Sequence, residues 1–185
     1  MKNKLTVQRL RFALRCARHL FAAAAIFLWV GPSGAAAQPS SVNGGGNGTF
    51  NADLDGDGDI DGTHFGFAVV LTPKGAVNGH FTCQMAGNMD FLGLKLMLVE
   101  GQVSSAFFAP TSVTFSGTAD VTFEPGGVFT DIPFTVIATA GGPGAGTIQL
   151  TLIGVFDGVT GDTIPGDNNY SLPVETVLSG NISIK

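Results

Sequence analysis

Apolar side chains recur at every second position through most of the chain beyond residue 64, a period that admits strands and little else. Phe65, Phe67 and Val69 alternate with His64, Gly66 and Ala68. Val113 and Phe115, then Val121 and Phe123, keep the same beat, as do Phe134, Val136 and Ala138 and, further on, Ile148, Leu150 and Leu152. The final run, Val177-Leu178-Ser179-Gly180-Asn181-Ile182-Ser183-Ile184, also has period two. Successive side chains of a strand point to opposite faces, so this pattern puts one face in a core and the other in water. Leu92, Leu94, Leu96 and Leu98 likewise read as the apolar face of one strand. Gly/Pro/Asn clusters punctuate the runs, at Pro73-Lys74-Gly75, Pro125-Gly126-Gly127, residues 141–146 and residues 165–169. Short β-branched and aromatic runs separated this way predict an all-β fold, a single antiparallel sandwich or a closed or partly open barrel. Residues 84–94, interrupted by Gly and Asn, read as a loop.

The first 37 residues follow a different logic. Lys2, Lys4, Arg9, Arg11, Arg15 and Arg18 precede an apolar run over residues 20–30, and small residues then offer a cut after Ala37. A basic region, a short apolar core and an A-x-A site form a secretory signal peptide, helical and too short to span a bilayer comfortably. The expected organisation is a signal peptide over 1–37, a flexible Gly/Ser/Asn leader over 38–48 and one all-β domain over 49–185. The expected location is outside the cytoplasm, extracellular or periplasmic.

Cleavage changes the charge. Three lysines (Lys74, Lys95, Lys185) remain against all 14 acidic residues, a net charge of −11. Three lysines cannot build the phosphate-contact surface that nucleic-acid binding requires, so no nucleic-acid partner is expected. An anionic lipid surface would repel the domain. No membrane span is expected in the mature chain either, since an outer-membrane barrel carries aromatic girdles usually rich in Tyr and Trp, and beyond residue 37 the sequence has one Tyr, Tyr170, and no Trp.

The densest chemistry lies between residues 51 and 64, where Asp53, Asp55, Asp57, Asp59 and Asp61 occupy alternate positions. A calcium loop takes ligands at positions 1, 3, 5, 7 and 9, a glycine at 6 and a bidentate carboxylate at 12. Counting from Asp53 puts Asp55, Asp57, Asp59 and Asp61 on ligand positions, Gly58 at the turn and Ile60 at an apolar anchor. His64 stands where the bidentate acid belongs, and the flanks read as strands. The expectation is therefore Ca²⁺ held modestly on a hairpin loop, with a Kd on the order of 10⁻⁴ to 10⁻³ M. The bland alternative is an acidic, solvated hairpin that binds nothing.

Other candidates are sparse. Cys83 alternates with Phe81 and Met85 on an apolar face, so it reads as a core filler, with a free or intermolecularly pairing thiol as the alternative. His80 stands three residues from Cys83 and points to the opposite face, which makes a Cys-His dyad poor geometry. No nucleophile elbow, H-E-x-x-H or phosphate loop occurs. Asp90, Glu100, Asp120, Glu124 and Asp131 are available as carboxylate pairs, which are defined by distance. The leading reading is a secreted, non-enzymatic binding or structural module for an unidentified extracellular ligand or protein. The alternatives are a small hydrolase working through carboxylates and a surface-assembly subunit that adds strands through residues 177–184.

Several turn and strand-end motifs occur in a recognisable order. They are Gly44-Gly45-Gly46-Asn47-Gly48-Thr49-Phe50, Phe65-Gly66-Phe67 and Gly79-His80-Phe81, followed by Phe115-Ser116-Gly117-Thr118-Ala119. Gly142-Pro143-Gly144-Ala145-Gly146 then precedes Ile148, and the chain ends with Leu178-Ser179-Gly180-Asn181-Ile182-Ser183-Ile184. In this the chain resembles small secreted bacterial β-domains of the post-COAP-1 type, departing from them by the Asp-rich insertion and by residues 158–169. The resemblance implies a β fold and export, and brings no catalytic residues to carry over.

Overall fold

The computed structural model describes residues 38–54, 56, 58, 60–91, 94–124 and 126–185. The signal-peptide expectation for residues 1–37 lies outside them. Among the described residues the chain forms nine strands: β1 (Ser41–Thr49), β2 (His64–Leu71), β3 (Val77–Phe91), β4 (Leu94–Phe108), β5 (Ser112–Glu124), β6 (Gly127–Thr139), β7 (Thr147–Ile153), β8 (Asn169–Ser171) and β9 (Glu175–Ile184). They form one antiparallel sheet in the order β6-β5-β4-β3-β2-β1-β9-β7-β8, and β6 also pairs with β7, which closes the sheet into a ring. The far edge of β7 is divided between two partners. Thr147 and Ile148 pair with Thr176 and Glu175 of β9, while Thr151, Leu152 and Ile153 pair with β8.

The period-two residues meet inside the ring. Phe67, Phe115, Phe81 and Phe134 are all buried and touch in that order, with ring centroids 5.3 Å, 5.9 Å and 5.4 Å apart. Val69, Val99, Val121, Val136 and Leu152, each at 0% exposure, surround that aromatic chain. Truncating one such phenylalanine to alanine costs about 3–5 kcal/mol, so these contacts bear most directly on stability.

Three sequence expectations are corrected. Much of the expected flexible leader is β1, hydrogen-bonded to β2 on one side and β9 on the other. Its glycines are places where core side chains approach the backbone: a Cβ on Gly44 would lie 2.4 Å from the Phe67 ring, and one on Gly48 would lie 2.0 Å from the Glu175 carboxyl. Residues 84–91 are strand instead of loop, because β3 runs unbroken to Phe91 and pairs there with Leu94. On β4 the interior takes Met97 and Val99, and Leu98 points the other way and is half-buried, so the leucine face is outward at that position.

Candidate functional site

Acidic side chains are the main chemical resource of the chain, and three settings gather most of them. The first is the predicted calcium loop. Backbone bonds from Gly48 to Thr63 and from Phe50 to Asp61 continue the β1/β2 ladder, so the loop is the tip of that hairpin. Asp53 accepts the Gly56 and Gly58 N–H groups at 2.6 Å and 2.9 Å, and both glycines have positive φ, as so tight a turn requires. Asp61 is 1% exposed and accepts the Leu54 N–H at 2.6 Å. Asp55, Asp57 and Asp59 lie outside the described residues. Ile60, expected as an apolar anchor, is 54% exposed. Among the described residues no group of three or more His, Cys, Asp or Glu side chains is gathered to hold a metal ion.

The second setting is the loop around residues 158–169, whose aspartates the sequence reading does not single out. Asp157 accepts the Gly166 and Asn168 N–H groups, and Asp162 accepts those of Gly158, Ile164 and Ser171. Desolvation pulls the Asp162 carboxyl upward, but the three amides outweigh it and hold the group below the usual carboxylate range. Here aspartate braces turns. The repeated Asp–Gly and Gly–Asp steps of residues 157–167 were the available signal.

The third setting is a groove of about 470 Å³ on the outer face of β3 to β6. Register builds it. Thr82 pairs with Glu100, and Glu100 with Asp120, so three strands contribute to one row. A parallel row runs from His80 through Gln102 to Thr118. Between β5 and β6 the pairing shifts from Ala119↔Ile132 to Val121↔Phe129, which sets Thr130 and Asp131 opposite Asp120. The extra residue is a β-bulge, with Asp131 at φ 59°, a conformation aspartate tolerates better than most side chains. Glu100, Asp120 and Asp131 thus meet at one place on the surface, all exposed and, among the described residues, without hydrogen bonds or ion pairs. Glu124 is not among the described residues that line this groove, and the side chain of Asp90 lies outside the described residues. Alternation puts Asp120 and Asp131 on outer faces, whereas Glu100 shares the face of Leu98 that the sequence reads as inward, and only pairing register shows that the three converge.

Inside the ring, Cys83 is buried and free. Burial first, then the Glu175 carboxylate, push its thiol up despite a hydrogen bond with Thr63, which leaves it inert. His80 is exposed in the groove and Cys83 faces the interior, so no dyad forms. The terminal strand is also engaged on both edges. β9 pairs with β1, and on its other side Val177 and Ile182 exchange backbone hydrogen bonds with residues of the 141–146 turn.

The fold and site together define a closed antiparallel β domain with an acidic external groove. Comparison with protein-family models, curated proteins and solved structures finds no match.

Proposed function

We propose that the protein is an exported, non-enzymatic binding module that takes a positively charged ligand in the groove across β3 to β6. The observation carrying this reading is Glu100 directly opposite Asp120, with Asp131 alongside and, among the described residues, no hydrogen bond or ion pair to any of the three. Like charges facing each other across a strand pair cost stability. A cationic ligand removes that cost, and His80, Gln102 and the neighbouring threonines add donors and acceptors around it. Binding is favoured over hydrolysis because a carboxyl acting as general acid needs apolar shelter to stay protonated at neutral pH. The groove carboxylates are exposed, and the buried Glu175 faces the interior.

Calcium at the hairpin tip remains part of the proposal. Asp53 and Asp61 have carboxylates already oriented by loop amides. Together with Asp55, Asp57 and Asp59 they would hold the ion, which would neutralise the tip and fasten it. Export rests on the pattern of residues 1–37, and the resemblance to post-COAP-1-type domains agrees with export.

The groove is tested by titrating the protein with a hexalysine peptide, using hexaglutamate as control, at low and high salt. Salt-sensitive binding of hexalysine alone is expected, weakened at least about tenfold, or about 1.4 kcal/mol, in an E100Q/D120N/D131N variant. Equal affinity in that variant, or no binding by the wild type, would overturn the reading.

A further inference from the structure

Glu175 opens β9 at the point where that strand leaves β7, and its carboxyl is turned into the ring at 2% exposure. Its partner in the described hydrogen bonds is Thr63, whose hydroxyl oxygen lies 2.9 Å from Oε1 and 2.7 Å from Oε2, and whose N–H reaches Oε2 at 3.2 Å. A hydroxyl carries one proton. With an ionised carboxylate the two short contacts must share that one proton in a three-centre bond. A neutral carboxyl completes the arrangement, donating its own proton to Thr63 Oγ1 while the Thr63 hydroxyl donates to the other oxygen.

The surroundings point the same way. β1 and β7 present Gly48 and Ile148, which carry no charge. β3 contributes the Cys83 thiol, whose own upward shift includes the Glu175 charge. Asp61 and the Tyr170 phenol of β8 lie near the same end of the interior, and burial, then Asp162, Cys83 and Asp61, push that phenol up. His64 follows Thr63 but is exposed. Among the described residues no lysine or arginine is among these neighbours, and the basic side chain of His64 lines the same surface pocket as Thr63. A small pocket of about 210 Å³, whose lining includes Gly48, Asp61, Gly62, Thr63 and His64, lies on the Thr63 side of the contact.

We propose that Glu175 and Thr63 form a proton-operated latch, which fastens the arm carrying the Asp-rich hairpin tip to β9 and loosens when the carboxyl ionises. Desolvation raises the Glu175 carboxyl, the Thr63 hydroxyl and amide pull it partly back, and the group is pushed up to about 7 from its usual 4.5. Because the folded value is raised, the stabilisation is complete below the unfolded value and is lost as pH rises through the folded one. The opening constant of the arm therefore rises by up to about tenfold per pH unit between about 4.5 and about 7, then levels off.

The direct test is a carbon NMR titration of the Glu175 carboxyl in the intact protein, with amide-exchange protection of residues 61–64 followed from pH 4.5 to 8 and corrected for intrinsic exchange. A carboxyl midpoint near 7, together with protection that falls with pH at residues 61–64 and not in β5, is the expected result. Glu175→Gln should make the protection independent of pH, and Thr63→Ser should keep the wild-type profile. A carboxyl midpoint below about 5 would overturn the latch whether or not either variant folds, and so would pH-independent protection in the wild type.

Discussion

Gly44 of β1 lies against the ring of Phe67 in β2, so close that a Cβ on it would fall 2.4 Å from Cζ and 3.1 Å from the Ile182 side chain of β9. The contact joins three neighbouring strands, β2-β1-β9, at one point. Gly44→Val should therefore lower stability by about 1–3 kcal/mol or more through overpacking, read as a shift in the urea midpoint with an unchanged slope. A variant as stable as the wild type would mean that the glycine is tolerated there instead of required.

Calcium should raise the melting temperature. At a free concentration ten times its Kd, one site adds about 1.4 kcal/mol, and an Asp55→Ala, Asp57→Ala double variant should lose that gain. Identical melting curves with calcium and with chelator would leave the hairpin tip as a solvated loop.

The Cys83 thiol should resist modification while the chain is folded. It is 2% exposed, and burial opposes the reactive thiolate. An aromatic disulfide reagent at pH 8, with labelling mapped by mass spectrometry, should reach it only as fast as the domain opens, and at full speed in denaturant. Rapid labelling of the native protein would contradict the buried placement.

Asp162 should contribute to acid sensitivity. Its folded-state value is depressed, so its stabilisation is present above the ordinary carboxylate value and is lost as pH falls through the depressed one. The wild type should therefore lose more stability than Asp162→Asn between pH 5 and pH 2, as followed by circular dichroism. Parallel losses would show that the three amide bonds are replaceable by water. This slope is opposite in sign to the one expected from Glu175, and the two occupy different pH windows.

Much of the fold was legible because alternation reports burial directly. Phe67, Phe81, Phe115 and Phe134 are in the core for the reason that their spacing announced. Where glycines replaced bulky residues the signal inverted. The 38–48 segment has little of its own to bury, yet most of it is the strand between β2 and β9, because packing there depends on side chains supplied by its neighbours. The leucine face of β4 misled for a related reason, since leucine and methionine carry similar apolar weight and Met97 is the one turned inward.

The sequence by itself determined the period of two, the punctuation between strands, the acidity and the placement of five aspartates in one short stretch. These are local properties, set by each residue and its near neighbours. Only the tertiary structure decided which carboxylates share a surface and which are enclosed. Glu100, Asp120 and Asp131 come together through antiparallel register and a single bulge. Thr63 and Glu175, 112 residues apart, meet through ring closure. Cross-strand neighbours are fixed by pairing partner and register, and neither is encoded in the spacing of residues along one strand.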